Sequence, residues 1–201
     1  MSVVEDRLVL GPELAGTLMT PEEFDAVEDC DELFVYELIH GVLVVNPPPS
    51  EGERGPNELL GRLLFAYQEQ NPQGSAMNYS LNEHAVRSDD SRRRADRVIW
   101  AGLGRMPHVR RDVPAIVVEF VSAGKRNRIR DYQAKRDEYR AAGIIEYWVI
   151  DRFRRQMTVF FKDGSQVMVA EADSYRTPLL PGFELPLSRL FAEADLLEKN
   201  S

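Results

Sequence analysis

Ala115-Ile116-Val117-Val118-Glu119-Phe120-Val121-Ser122 reads as a buried strand, because its apolar run is short and largely β-branched. A helical pattern from about Arg126 to Ala142 follows and stops at Gly143, a residue suited to close a helix. Ile145-Glu146-Tyr147-Trp148-Val149-Ile150-Asp151 is then strand again. Strand, helix and strand over 115–151 call for a parallel crossover, which makes this a mixed-sheet α/β or α+β domain.

Toward the N-terminus, Thr20-Pro21-Glu22-Glu23-Phe24 offers a helix cap, a proline at the first helical position and acids in the first turn. Val35 to Val45 reads as two strands around His40-Gly41, a hairpin or a bulged strand, which Pro47-Pro48-Pro49 ends. Asn57 to Gln70 is a helix, with Leu60, Leu63, Leu64 and Tyr67 on one stripe. Residues 76–87 form a strand, 88–94 a polar loop, and Asp96-Arg97-Val98-Ile99-Trp100 begins the next strand. Beyond Asp151, a hairpin from Met157 to Ala170 turns at Lys162-Asp163-Gly164-Ser165, and a short helix from Leu187 to Leu197 closes the chain. No internal repeat and no linker interrupts it. One domain over 19–191 is expected, with an extension at 1–18 and a tail at 192–201.

The 201 residues, 43% hydrophobic and 29% charged, are enough to bury a real core. No apolar run approaches the roughly 18 residues of a membrane-spanning helix. The N-terminus lacks the basic-then-apolar order of a signal peptide. Cys30 stands alone, so no disulfide framework or cysteine-based zinc site is expected, and a cytoplasmic setting fits. The net charge of -8 conceals an asymmetry. Between Arg92 and Arg140 lie fourteen Lys/Arg and six Asp/Glu, whereas residues 1–53 carry thirteen acids and one base. Such a chain is a poor sequence-blind DNA binder overall, yet its middle third can meet a polyanion. The plainer reading of Arg92-Arg93-Arg94 is a solvated loop.

The informative residues are charges where a core strand should be apolar. Glu119 is flanked by Val118 and Phe120, and a buried carboxylate needs a metal ion, a Lys/Arg or a proton to compensate it. A salt bridge to an arginine is as good an account of Glu119 alone. Asp96, opening a strand, favours a metal, because two carboxylates on adjacent strands suit a hard cation such as Mg²⁺ or Mn²⁺. Glu37 is a third carboxylate among apolar neighbours, though a surface position on an edge strand explains it equally well. Tyr132, Lys135, Tyr139 and Ala142 share one helix stripe, which sets Lys135 on the inward side. Lys135 could instead pair with Asp131 at the surface. A lysine aimed at a sheet that holds Glu119 could position a water for attack on a phosphodiester. The chain has no G-x-S-x-G elbow and no phosphate-cradling glycine loop, and His40, His84 and His108 lack ligand spacing.

With these residues in view, the chain resembles the bacterial Uma-type restriction endonuclease family, formerly a domain of unknown function and a branch of the PD-(D/E)XK nuclease superfamily. Met19-Thr20-Pro21-Glu22-Glu23-Phe24, Tyr36-Glu37-Leu38-Ile39-His40-Gly41 and Pro47-Pro48-Pro49-Ser50 carry the resemblance. Val117 to Ser122 carries it further, as do Asp131, Lys135, Tyr139, Gly143, Glu146, Tyr147, Trp148 and Asp151 in their spacing, and Leu179-Leu180-Pro181-Gly182-Phe183. The departures are Ala95 for the usual Pro, His40 and Val42 for acids of the turn, and Ser122-Ala123-Gly124 for Ser-Pro-Ser.

The resemblance implies a restriction-endonuclease-like core with flanking helices and a C-terminal β-hairpin, acting as a Mg²⁺- or Mn²⁺-dependent endonuclease on DNA. Asp96, Glu119 and the backbone carbonyl of Phe120 would hold the metal. Lys135, supplied from the helix because Val121 occupies the superfamily's usual lysine position, would act on the water, with Glu37 assisting. Glu146 would support the ligands from behind. Arg92, Arg93, Arg94, Lys125, Arg126 and Arg128 flank these positions and are the expected DNA contacts. The superfamily often works in pairs, so a homodimer is a further expectation. A non-catalytic nucleic-acid-binding member, or a partner-binding domain with vestigial acids, is the alternative that the acidic balance favours.

Overall fold

The computed structural model describes residues 8–123 and 130–200, which fall into two compact units. The first runs to Pro48 and takes in Ala85–Arg94; the second holds Pro49–His84 and the chain from Ala95 onward. In chain order, helix α1 (Pro21–Ala26) precedes strands β1 (Val35–Ile39) and β2 (Val42–Asn46) and helix α2 (Glu51–Gln70). Strands β3 (Met77–Arg87), β4 (Arg92–Ala101) and β5 (Ile116–Phe120) come next, then helix α3 (Lys135–Ala141). Strands β6 (Glu146–Asp151), β7 (Gln156–Phe161) and β8 (Gln166–Ala170) and helix α4 (Leu187–Glu198) complete the set.

In the first unit α1 opens on a reciprocal cap. The Thr20 hydroxyl accepts the Glu23 N–H at 3.1 Å, and the Glu23 carboxylate accepts the Thr20 N–H at 2.7 Å. β1 and β2 form a hairpin from Val35↔Asn46 to Ile39↔Val42. Its two turn residues, His40 (φ 48°) and Gly41 (φ 74°), have the positive φ that a two-residue turn needs. Leu38 pairs with Arg92, so Arg92-Arg93-Arg94 are strand residues and not the solvated loop read from their charge. Leu10, Tyr36 and Leu43 form a small core with Met19, Phe24 and Val45.

The second unit realises the parallel crossover. β5 and β6 run parallel from Ile116↔Glu146 to Phe120↔Ile150, and β4 and β7 flank them antiparallel. β8 pairs with β7, and β3 with β4. Every residue of β5 and β6 is buried, as strands covered on both faces must be. Alternation sends Ile116, Val118, Phe120, Trp148 and Ile150 into one core with Leu60 and Leu64 of α2 and Leu187, Leu190 and Phe191 of α4. The opposite face meets α3, where Tyr139 packs edge-on against Tyr147 at 5.0 Å.

α2 begins six residues before the expected Asn57. Ser50 and Glu53 cap it, and Pro56 is carried inside. A π-helical turn, Arg130–Ala134, leads into α3, and Gly143 (φ 93°) follows its end. The earlier part of the helix expected from Arg126 lies outside the described residues. The result is a mixed α+β fold.

Candidate active site

Register and alternation bring the two strand acids together. One step beyond Arg97↔Val118, the β4–β5 register sets Asp96 opposite Glu119, on the face shared by Val98 and Val117. Side chains so opposed start about 5 Å apart at Cβ. The Phe120 N–H faces β4 and is accepted by the Asp96 carboxylate at 2.6 Å, while the Val121 N–H turns to the Ile150 carbonyl on β6.

Glu119 is 3% exposed and Lys135 2%. One oxygen, Oε1, takes both the Lys135 ammonium at 2.8 Å and the Tyr139 hydroxyl at 2.8 Å. Lys135 and Tyr139 are four residues apart on α3, so one stripe delivers both donors. The inward orientation read from the Tyr132–Ala142 stripe is what the structure shows, and the surface alternative for Lys135 is excluded by its burial. Burial drives the half-buried Asp96 carboxyl well above the ordinary carboxylate range. The charges of Glu119 and, more weakly, Glu53 add to this, while Lys135 and the Phe120 N–H pull the other way.

Asp96 is also fixed through its backbone. The Asn57 side-chain amide donates to its carbonyl at 2.9 Å. Asn57 is clamped in turn by Arg97, whose Nε donates to its Oδ1 at 2.7 Å and whose Nη2 donates to its carbonyl at 3.0 Å. A Cβ on Gly61 would lie 2.7 Å from that Nη2, so the bare glycine on α2 leaves room for the guanidinium. Arg97 points to the reverse face from Asp96, as alternation requires.

Glu53 went unread in the sequence. Its Oε2 accepts the Ser50 N–H at 2.7 Å and hydroxyl at 2.6 Å, and its Oε1 accepts the Ser122 hydroxyl just beyond β5. The capping pattern Ser50-x-x-Glu53 was the available signal.

Several other expected site residues have partners of their own. Glu37 is buried in the first unit, where its oxygens accept the Arg94 N–H and the Asn46 amide, both at 3.0 Å. β1 lies between β2 and β4, so the edge-strand reading of Glu37 is corrected. Glu146 faces the core side of the sheet, accepting from Trp148 (2.8 Å), Tyr175 (3.0 Å) and Thr177 (2.6 Å). It pairs with Ile116, at the far end of β5 from Phe120. Arg92 is tied to Asp25 at 2.9 Å and donates to the Ser88 and Ser91 carbonyls. Arg93 is buried, and Arg94 alone of the three is exposed. Lys125, Arg126 and Arg128 lie outside the described residues.

Among the described residues, no three His, Cys, Asp or Glu side chains stand close enough together to hold a metal ion. Oxygen donors such as two carboxylates and a backbone carbonyl are of the kind a hard cation takes with waters. No helix among the described residues is long and apolar enough to cross a membrane.

A family model described as "Putative restriction endonuclease", Uma2, matches residues 21–188. Among solved structures, the chain is similar to the crystal structure of a "putative nuclease belonging to DUF820" from Anabaena variabilis. The two share 15% identity with a TM-score of 0.69, covering 88% of this chain and 99% of the other. At that identity the likeness shows the fold alone. No curated protein matches the chain.

Proposed function

The chain belongs to the Uma2 family, whose model is described as "Putative restriction endonuclease", and from that premise we propose that it is a metal-dependent nuclease hydrolysing phosphodiester bonds in DNA. The observation that carries the reading is a pair of opposed carboxylates, Asp96 and Glu119, with a buried lysine 2.8 Å from one of them.

Asp96, Glu119 and the Phe120 carbonyl would hold Mg²⁺ or Mn²⁺. A strand residue sends its N–H and C=O to the same neighbour, so the Phe120 carbonyl faces β4 and Asp96 as its N–H does. Such an ion, when bound, supplies Lewis acidity and a more acidic water. Asp96 is preoriented by two backbone anchors, the Phe120 N–H at its carboxylate and Asn57 at its carbonyl. Tyr139 holds Glu119 in one orientation. Lys135 would orient the attacking water and stabilise charge developing on the phosphate in a site with little water to screen it. Glu37, with both oxygens engaged in the first unit, is given no step.

The test is cleavage of supercoiled plasmid with Mg²⁺ or Mn²⁺. Wild type should yield nicked and linear DNA, and Glu119→Ala should not. Equal cleavage by both proteins, or none by wild type with either ion, overturns the reading. One observation favours a non-catalytic binding member instead: Lys135 already neutralises Glu119 as a structural pair would. DNA binding without cleavage by wild type would identify that case.

A further inference from the structure

Of the cations expected to meet DNA, Arg92 is tied to Asp25, Arg93 is buried and Arg94 is exposed, while Lys125, Arg126 and Arg128 lie outside the described residues. A different basic cleft exists on the second unit. It has a volume of about 180 Å³ and is lined by Arg136 and Arg140 of α3, Lys162 and Ser165 of the β7–β8 turn, and Tyr147 and Phe160 of the sheet. That space admits a group several waters in size.

The sequence of α3 dictates this cleft. Lys135 and Tyr139 form the stripe that faces Glu119, and Arg136 and Arg140, each one residue on, form the adjacent stripe. Arg136 lies 5.7 Å from the centre of the Phe160 ring, which stacks on Tyr147 at 6.0 Å. Arg140 reaches over the β7–β8 turn, where a Cβ on Gly164 would sit 3.4 Å from its Nη1. No carboxylate lines the cleft. Asp137 pairs with Arg136 at 2.9 Å, and Asp163 accepts the Ser165 N–H and hydroxyl. Among the described residues, Arg140 and Lys162 enter no side-chain ion pair. Arg140 and Lys162, two exposed cations lining one cleft whose other walls include Tyr147 and Phe160, suit an anionic partner.

We propose that this cleft is the anchoring site for a phosphate of the nucleic-acid strand, held by Arg140 and Lys162 with Arg136 at its rim. The assignment rests on the nuclease reading for its substrate class. Arg140 lies five residues along α3 from Lys135, so one short helix carries both the proposed anchor and the lysine paired with Glu119. The anchor would govern affinity, and the Asp96–Glu119 group would govern chemistry.

The experiment compares wild type with Arg140→Gln/Lys162→Gln in binding a labelled oligonucleotide in EDTA across a salt series, beside plasmid cleavage by both. Both substituted positions are exposed, so the thermal midpoint should be unchanged. The double variant should bind roughly tenfold or more weakly at low salt, with a salt slope lower by about 1.4 to 1.8 for two lost phosphate contacts. KM for cleavage should rise while kcat holds. Unchanged affinity and slope in the variant overturn the anchor and leave the nuclease reading standing. Intact anchoring in a protein that never cleaves overturns the nuclease reading instead. If inorganic phosphate perturbs Arg140 and Lys162 in NMR spectra while wild type binds no oligonucleotide, the cleft is a small-anion site and the proposal is wrong.

Discussion

Lys135 and Glu119 form an ion pair at 2.8 Å with their side chains only 3% and 4% exposed. Breaking a buried pair from one side leaves an uncompensated charge, whereas removing both charges together can be nearly neutral. Lys135→Met should therefore lower unfolding stability by about 3 kcal/mol, and Lys135→Met/Glu119→Gln should restore most of that loss without restoring cleavage. Urea denaturation of the two single variants and the double variant supplies the cycle. Additive losses would mean that the pair is not coupled.

Metal should stabilise the wild type through Asp96. An ion held by both carboxylates would relieve their repulsion, and binding at a hundredfold excess over Kd would add about 2.7 kcal/mol. Millimolar Mg²⁺ or Mn²⁺ should raise the thermal midpoint by several degrees in wild type and not in Asp96→Asn. An equal rise in both proteins removes Asp96 from the ligand set.

Asp25 should give the first unit a dependence on pH. Burial opposes its charge, but hydrogen bonds from Arg92 and Arg87 outweigh that and hold its carboxyl below the ordinary 3.8. A carboxyl depressed in the folded state contributes stability above its unfolded value and loses it as pH falls through its folded value. Wild type should thus exceed Asp25→Asn by up to about 1 kcal/mol at neutral pH after solvent screening, with the gap closing below the usual aspartate range. Denaturation midpoints of both proteins across pH would expose a gap that instead widens in acid.

Glu146 should matter to the fold and not to the chemistry. Three donors converge on its carboxylate, so Glu146→Gln turns an amide donor toward hydroxyl or indole donors and should cost about 1–3 kcal/mol. Cleavage per folded molecule should be unchanged below the new melting point. A fall in kcat at full folding would restore Glu146 to the site.

The central crossover was legible because β5 and β6 are hydrophobic on both faces and α3 carries its inward residues at helical spacing. Glu119 and Lys135 stood out for the same reason, each being a charge in an apolar position. Asp96 was found as a strand acid, but its opposition to Glu119 depends on the β4–β5 register, which no local pattern encodes. Arg92-Arg93-Arg94 read as loop because their charge outweighs strand propensity until Leu38 pairs with Arg92. Glu53 went unread because the helix was expected only from Asn57, whereas it starts at Glu51.

β5 divides its labour by alternate residues, and that division shapes how descendants of such a chain can diverge. Ile116, Val118 and Phe120 maintain cohesion, so drift in chemistry on the other face need not erode the core. Glu119 is an exception, since losing it alone removes the carboxylate 2.8 Å from the buried Lys135 ammonium. A lineage abandoning its activity through this residue would have to change both partners within a short interval, or first acquire stability elsewhere. Decay through Asp96, half-buried and anchored by backbone groups that an asparagine can also engage, meets no such barrier. Inactive descendants should accordingly have lost Asp96 more often than Glu119.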